Sequence, residues 1–367
     1  VSPPTRTTRP RIDILHRVTG RIFPMTAPHP LVTHAHRLAD DLLAPHAERV
    51  DQEGVPASHL RAIRRSGLLA VNAPAQYGGV TAAVARETAE ILAGACCSTW
   101  FVQTQHHTPV ATLSGSAGPA RERLLGPLAR GELLSGVAYA HLRAYPRTPV
   151  RVTRERGGRR FDGTVPWYTG WGLNDVMLLA GVTDSGEALF AFTEAREQPG
   201  LRASAPMRLA ALTASRTVSL ELDGFWLPEE AVVLRRPYED WAATDRPKTV
   251  NASPAVFGVT EAALALLDDD TAAPLRARLT DIRARAYSLA DHPTPHEHLE
   301  ERLTLRTRAH QVMQAATTAA LVAGGGRSMT LTSKPQRLAR EALFLMVQGQ
   351  TTRSREAHLE ALVSGPA

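Results

Sequence analysis

Apolar positions recur along the chain with two different periods, and the change between them divides it into three stretches. From Leu31 to about Gly131 the spacing is helical. Leu38, Leu42 and Val50 form a stripe interrupted by Pro45, and Ser58 can cap a short helix carrying Leu60 and Ile63, with Gly67 at its stop. Ala73 to Gly79 reads as a loop. Thr81 to Ala95 predicts a helix with Glu87 and Glu90 outward and Ile91 and Leu92 inward. Trp100 to Leu113 reads as a buried helix, and Ala120 to Arg130 as an amphipathic one presenting Leu124, Leu125 and Leu128. After Gly136 the period shortens. Val150–Thr153, Arg160–Val165, Val176–Val182, Ala188–Phe192 and Val218–Leu222 are β-type runs, separated by turn signals at Gly157-Gly158, Asp184-Ser185-Gly186 and Asp223-Gly224. From about Ser253 the helical period returns over Ala255–Leu267, Pro274–Ala290, Leu299–Val322 and Pro335–Gln350, with Gly324-Gly325-Gly326 after the third.

About five short strands without long helices between them argue for an antiparallel sheet or barrel, and no Gly-x-Gly-x-x-Gly turn follows a strand. The expected class is α+β, mainly α. The expected organisation is a disordered extension over 1–25, an N-terminal helical domain over 26–135, a small antiparallel β-barrel or sheet over 136–235, and a C-terminal helical bundle over 236–367. Val1 to Pro24 hold several arginines and prolines and lack the apolar core of a secretory signal. A disordered extension and a true start at Met25 explain this stretch equally well.

Composition narrows the function classes. The 367 residues are 43% apolar and 21% charged, ordinary for a globular enzyme. No apolar run approaches a membrane span, so no membrane partner is expected. Cys96 and Cys97 are adjacent, poorly placed for a structural disulfide and too few to close a zinc site, so no metal is expected and a reduced, cytoplasmic compartment is inferred. The formal charge of +6 is almost all arginine, since Lys248 and Lys334 are the only lysines. Acidic residues are interspersed and no zinc-finger or aromatic RNA-binding motif is present, so nucleic acid is not an expected partner.

Four phrases, in order, carry a resemblance. They are Pro74-Ala75-Gln76-Tyr77-Gly78-Gly79, Arg123 to Glu132, Phe161 to Gly170 with Trp167 and Thr169, and Leu220 to Pro228. Together they resemble the acyl-CoA dehydrogenase superfamily over roughly Leu31 to Val363. The resemblance implies that family's fold, a flavin cofactor (FAD, with FMN an alternative), an acyl-CoA or other small-molecule substrate, and an electron-transfer partner or flavin reductase. It also implies a homodimer or homotetramer.

A flavin ring is flat and mostly apolar, so it needs an aromatic wall and a few placed hydrogen bonds. Residues two apart on a strand share a face, so Trp167 can lie along the ring while the Thr169 hydroxyl meets its polar edge. A buried strand Trp followed by a turn Thr fits the same spacing. Tyr139 and His141 lie where the family touches the pyrimidine side, although its usual Thr-Glu-Pro wording is lost. Trp171 and Asn174 follow on the same segment. Gly325 occupies a glycine-rich turn, and Arg340, with Arg337 and Glu341, resembles the family's Arg-x-x-Arg-Asp phrase. A helix stop and a surface ion-pair network are the alternatives.

Trp100, Gln103 and His107 fall on one helical face, with His106 pointing elsewhere, so His107 is a candidate proton donor or acceptor. A dehydrogenase needs a positioned carboxylate to take the substrate's α-proton. Counting from Glu341 places Gly349 where many family members carry that base, and Gln348 beside it cannot accept the proton either. Asp245 lies near an alternative base position. The Arg-x-x-Phe-Gly phrase that holds the cofactor diphosphate is absent. The first expectation is a flavin oxidoreductase acting on the CH–CH group of an acyl thioester. The alternatives are a monooxygenase of the same fold using reduced flavin from a partner, and a non-catalytic relative.

Overall fold

The computed structural model describes residues 27–144, 146–147 and 150–363. The expected extension at 1–25 lies outside the described residues.

Among the described residues seven helices precede the first strand: α1 (Pro30–Leu38), α2 (Ala47–Glu53), α3 (Ala57–Arg65), α4 (Ala82–Ala95), α5 (Cys97–Thr104), α6 (His107–Ser114) and α7 (Pro119–Ala129). Pro45 shapes the first turn of the fold. It offers no N–H and its ring crowds the preceding turn, and the chain passes it through a π-turn at Ala39–Leu43 and a 3-10 turn at Ala44–His46. The α3 helix starts after Pro56, and Ser58 lies inside it, so the expected Ser58 cap is one turn position off. Gly67 ends the region with φ 78°. Glu90 is not outward: its carboxylate accepts from Tyr287 and Arg283 on a later helix. The expected single helix from Trp100 to Leu113 is broken at Gln105-His106, three to four residues before Pro109, which lacks the N–H a continuous helix would donate to Gln105 O.

Among the described residues eight strands follow: β1 (Ser135–Ala138), β2 (Val150–Glu155), β3 (Gly158–Tyr168), β4 (Val176–Thr183), β5 (Glu187–Glu194), β6 (Leu201–Ala203), β7 (Val218–Pro228) and β8 (Val232–Pro237). The sheet runs β6-β7-β3-β2-β4-β5-β8, mostly antiparallel, with β1 and β2 pairing parallel to the two ends of β4. Three of the eight escaped the sequence pattern: β1 and β6 are only four and three residues long, and the apolar run of β8 ends at Arg235 after three residues. Alternation along β4 builds two cores. Val176, Leu178 and Ala180 pack with Phe190, Trp241 and Leu124 beneath helices, while Met177 and Leu179 join Phe161, Leu220 and Phe225 inside the sheet's other face. Phe161 and Phe225 are essentially fully buried, each worth about 1.5–3 kcal/mol on burial.

Six helices close the chain: α8 (Tyr238–Val250), α9 (Pro254–Leu264), α10 (Asp269–Ala290), α11 (Leu299–Gly324), α12 (Lys334–Val347) and α13 (Thr352–Val363). The largest core joins them to the N-terminal helices. Its tightest contact is α4 on α9. A Cβ on Gly258 would fall 2.0 Å from the Glu90 carbonyl oxygen, and one on Gly94 would fall 2.6 Å from that of Gly258, so two glycines let these backbones touch. The expected class, helices on either side of a small antiparallel-rich sheet, is the observed one.

Candidate functional site

The segment from Trp167 to Asn174 leaves β3 and is held from below. Trp167 is 56% exposed, whereas Tyr168 and Thr169 are buried. Strict alternation therefore ends at Tyr168, and Thr169 turns inward instead of continuing the outer face of the strand. Its Oγ1 lies 3.1 Å from Thr217 Oγ1, which lies 3.0 Å from Ser215 Oγ, making a row of three hydroxyls. The turn carrying Ser215 is strapped to this segment by Gly170 N–H to Ser215 O and Trp171 N–H to Arg216 O. Leu212 and Arg216, at either end of that turn, have φ of 58° and 51°, a costly conformation for residues with side chains. Asn174 donates from Nδ2 to Tyr168 OH and Thr169 O, while its Oδ1 is buried without a partner. A Cβ on Gly136 or Gly170 would lie 2.4 Å from Asn174 Nδ2, so both positions need glycine. Asn174 is a strut beneath Thr169, and Trp171 packs edge-on against Tyr168. Thr217 and Ser215 were missed by the sequence reading because their link to Thr169 joins distant strands.

Helix α5 packs against the 213–215 turn. Ser98 Oγ, Trp100 Nε1 and Gln103 Oε1 on this helix are buried without hydrogen-bond partners. Gln103 Nε2 donates to His107 Nε2 at 2.7 Å, so these two meet across the helix break. Burial pulls the His107 imidazole down to about 4, leaving it neutral near pH 7 with its Nε2 engaged. His106 is fully buried and its Nδ1 accepts the Ser135 N–H, which anchors β1.

The remaining candidates scatter. Tyr139 packs edge-on against Phe190 and Trp241. His141 is buried with Nε2 3.1 Å from Ala180 O, and burial pulls it down to about 4. Gly325 follows α11 with φ 60° and open space around its Cβ position. Arg340 binds Asp51 of α2 at 2.5 Å and also contacts Gln336 and Ala210 O. Arg337 and Glu341 are 1% exposed and paired at 2.7 Å, with Glu48 of α2 at 3.1 Å. The expected surface ion-pair network is therefore replaced at Arg337 and Glu341 by a buried clamp between α12 and α2.

A separate cavity of about 440 Å³ opens between α4, the α8–α9 junction, α10, α11 and the α12–α13 turn. Gln348 and Gly349 line it, so the position assigned to the family's base faces a cavity. Gly349 has φ 62°, which side-chain-bearing residues rarely adopt, and a Cβ there would sit 3.9 Å from Arg143 Nη1. No Asp, Glu or His is among the lining residues. Asp245 stands behind them, holding Arg143 through two hydrogen bonds of 2.7 and 3.1 Å. Both carboxylate oxygens of Asp245 are therefore occupied by the Arg143 guanidinium, and Asp245 is not among the residues that line the cavity. Trp167 and Thr169 are not among the residues lining this cavity.

Residues 29–132 match the family model described as acyl-CoA dehydrogenase, N-terminal domain. No curated relative matches the chain in sequence. Among solved structures, butyryl-CoA dehydrogenase from Megasphaera elsdenii superposes with TM-score 0.77 and 16% identity, covering 91% of this chain and 97% of that one. A glutaryl-CoA dehydrogenase from Mycobacterium smegmatis in complex with FADH2 gives 0.76 and 17%, covering 92% and 94%. Dibenzothiophene monooxygenase from Paenibacillus sp. A11-2 gives 0.74 and 16%, covering 92% and 97%. At these identities the likeness establishes the fold, which the dehydrogenases and the monooxygenase share.

Proposed function

We propose that the chain is a flavin-dependent oxidoreductase of the acyl-CoA dehydrogenase type, whose flavin rests on Trp167 beside Thr169; the match of residues 29–132 to that family's N-terminal domain and the shared fold support this reading. The observation that carries this reading is the exposed indole. Trp167 leaves more than half its surface to water while Tyr168 and Thr169 beside it are buried. A flat ring laid over roughly 100 Å² of that face would gain about 2.5 kcal/mol. Thr169 is the member of the hydroxyl row next to that face; Thr217 and Ser215, buried behind it, orient its hydroxyl, and Asn174 keeps Thr169 in place. FAD is the favoured form of the flavin, with FMN the alternative to be separated by reconstitution.

When bound, the flavin supplies two-electron chemistry, either taking a hydride or, once reduced, reacting with oxygen. The chain's residues bear on which. Removing an α-proton from an acyl thioester needs a general base in the substrate cavity. Gly349 supplies none, its backbone disfavours a side chain, and Asp245 is engaged by Arg143. These features favour an oxygen-dependent oxidation, with electrons delivered by a flavin reductase, over dehydrogenation of the CH–CH group of an acyl-CoA. Stopped-flow spectroscopy separates the two. Anaerobic bleaching of bound flavin by an acyl-CoA panel supports dehydrogenation with a relocated base. No bleaching, with oxygen uptake when reduced flavin and substrate are supplied, supports the oxygenase. Colourless protein that binds neither FAD nor FMN would support a non-catalytic scaffold and end the proposal.

A further inference from the structure

Arg306 is 95% buried, its relative exposure being 5%, and it lines the cavity beside Gly349. It donates Nη1 to Asn251 O at 3.2 Å and Nη2 to Gln348 O at 3.3 Å, while Nε has no partner. Among the described residues no carboxylate lies within 4 Å of it. The other arginines of the cavity are matched: Arg143 by Asp245, and Arg86 by Asp291 with Tyr287 beneath its guanidinium. Lys248 adds a further cation at the rim. Burial, then the nearby charge of Arg143, pull Arg306 down to about 10, so it stays charged at neutral pH. A buried guanidinium without a counter-charge is costly unless something that binds there supplies it.

A second feature points the same way. Ser253 and Pro254 line the cavity and begin the 11-residue helix α9, whose Ser253 cap makes no side-chain hydrogen bond. The N-terminal end of α9 thus faces the same space; Pro254 has no N–H and Val256 donates to Ser253 O at 3.0 Å, so what this end offers an anion is the positive end of the helix dipole and the Ala255 N–H. At about 440 Å³ the cavity suits a small molecule.

We infer that this cavity takes an anionic substrate, and that Arg306 is the specificity residue that binds its carboxylate or phosphate group, assisted by the start of α9. This names the substrate class of the proposed oxidoreductase and rests on that reading for the word substrate alone, since anion binding is measured without turnover.

The test is calorimetric titration of the full chain with glutarate, inorganic phosphate and coenzyme A in turn, at ionic strength held constant with chloride. Glutarate reports a carboxylate, inorganic phosphate a free phosphate, and coenzyme A a phosphate borne on a larger carrier. At least one probe is expected to bind, and Arg306→Gln to weaken it by about tenfold or more, the loss of a charge-assisted hydrogen bond. Arg306→Gln without ligand is expected to melt no lower than the wild type, because the variant removes an uncompensated charge. Absence of binding by all three probes overturns the inference, as does equal affinity in the variant. If the variant does not fold, a wild-type crystal soaked in the tightest probe decides: an anion hydrogen-bonded to Arg306 supports the inference, and an anion elsewhere overturns it. Titration of the same samples with FAD and FMN keeps the outcomes separate, since protein that binds the probe but neither flavin defeats only the oxidoreductase reading.

Discussion

The clamp between α12 and α2 allows a quantitative prediction. Arg337 and Glu341 are both 1% exposed and 2.7 Å apart, whereas Glu48, the other partner of Arg337, is 25% exposed at its side chain. Burial pushes the Glu341 carboxyl up, and Arg337 opposes that shift. Glu341→Gln removes the buried counter-charge and leaves Arg337 with one half-solvated carboxylate. Breaking a buried pair in this way costs about 3–5 kcal/mol. Since Glu48 remains, the lower end is expected, near 3 kcal/mol. The double variant Arg337→Met/Glu341→Leu removes both charges and refills the space with apolar atoms, so it should recover most of the loss. Glu48 then turns to water at a cost of less than about 1 kcal/mol. Urea unfolding followed by circular dichroism measures both. A shift of roughly 1 M in midpoint is expected for the single variant at an m-value near 3 kcal/mol/M. If Glu341→Gln lay within about 1 kcal/mol of the wild type, or if the double variant were no more stable than the single one, the buried pair would not be acting as argued.

Three further outcomes follow from the packing and titration. His106, pulled down to about 3, and His107 and His141, pulled down to about 4, all by burial, are neutral when folded and titrate near 6.5 when unfolded. The unfolded chain binds more protons below that value, so stability is fully present above pH 6.5 and falls toward pH 4. Urea midpoints at pH 7.5 and 5.0 check this, and an unchanged midpoint contradicts it. Gly258→Ala is expected to destabilise by at least about 1–3 kcal/mol, because its methyl group meets the Glu90 carbonyl 2.0 Å away; the melting temperature reports it. Leu343, Val347, Leu359 and Leu362 on α12 and α13 are each more than half exposed, so light scattering is expected to find a homodimer or homotetramer, and Leu343→Glu to shift it toward monomer.

Periodicity made the architecture legible. The apolar stripes of Thr81–Ala95, Leu299–Val322 and Pro335–Gln350 are wide enough to mark helices, and each became one within a few residues. It failed where tertiary contacts decide. Helix α8 has charged and apolar residues mixed around it and an internal Pro247, so no stripe betrays it. Strand β1 is Ser-Gly-Val-Ala, and only its parallel pairing with β4 makes it a strand. Within the site, Trp167 stood out because an aromatic residue two positions before a Thr is visible locally. The Ser215 and Thr217 partners are 48 residues or so further on and join Thr169 only through the sheet. Arg306 carried a signal that passed unread: Arg302, Arg306 and His310 recur every four residues on a helix face otherwise lined by Leu303, Val312 and Met313. Two arginines on a buried face mark either ion pairs or a bound anion, and only the folded structure tells which; His310 beside them is kept neutral by burial. Arg340 had the opposite fate, since a position suggestive of cofactor binding holds Asp51 of α2.

The most direct measurement is the flavin affinity of the purified protein and of Trp167→Ala, by fluorescence titration with FAD and FMN. The wild type is expected to bind one of them, and the variant to bind it about sixtyfold more weakly, which corresponds to the roughly 2.5 kcal/mol assigned to stacking on the indole. Equal affinity in the two proteins, with the variant folded, would place the flavin elsewhere and contradict the account.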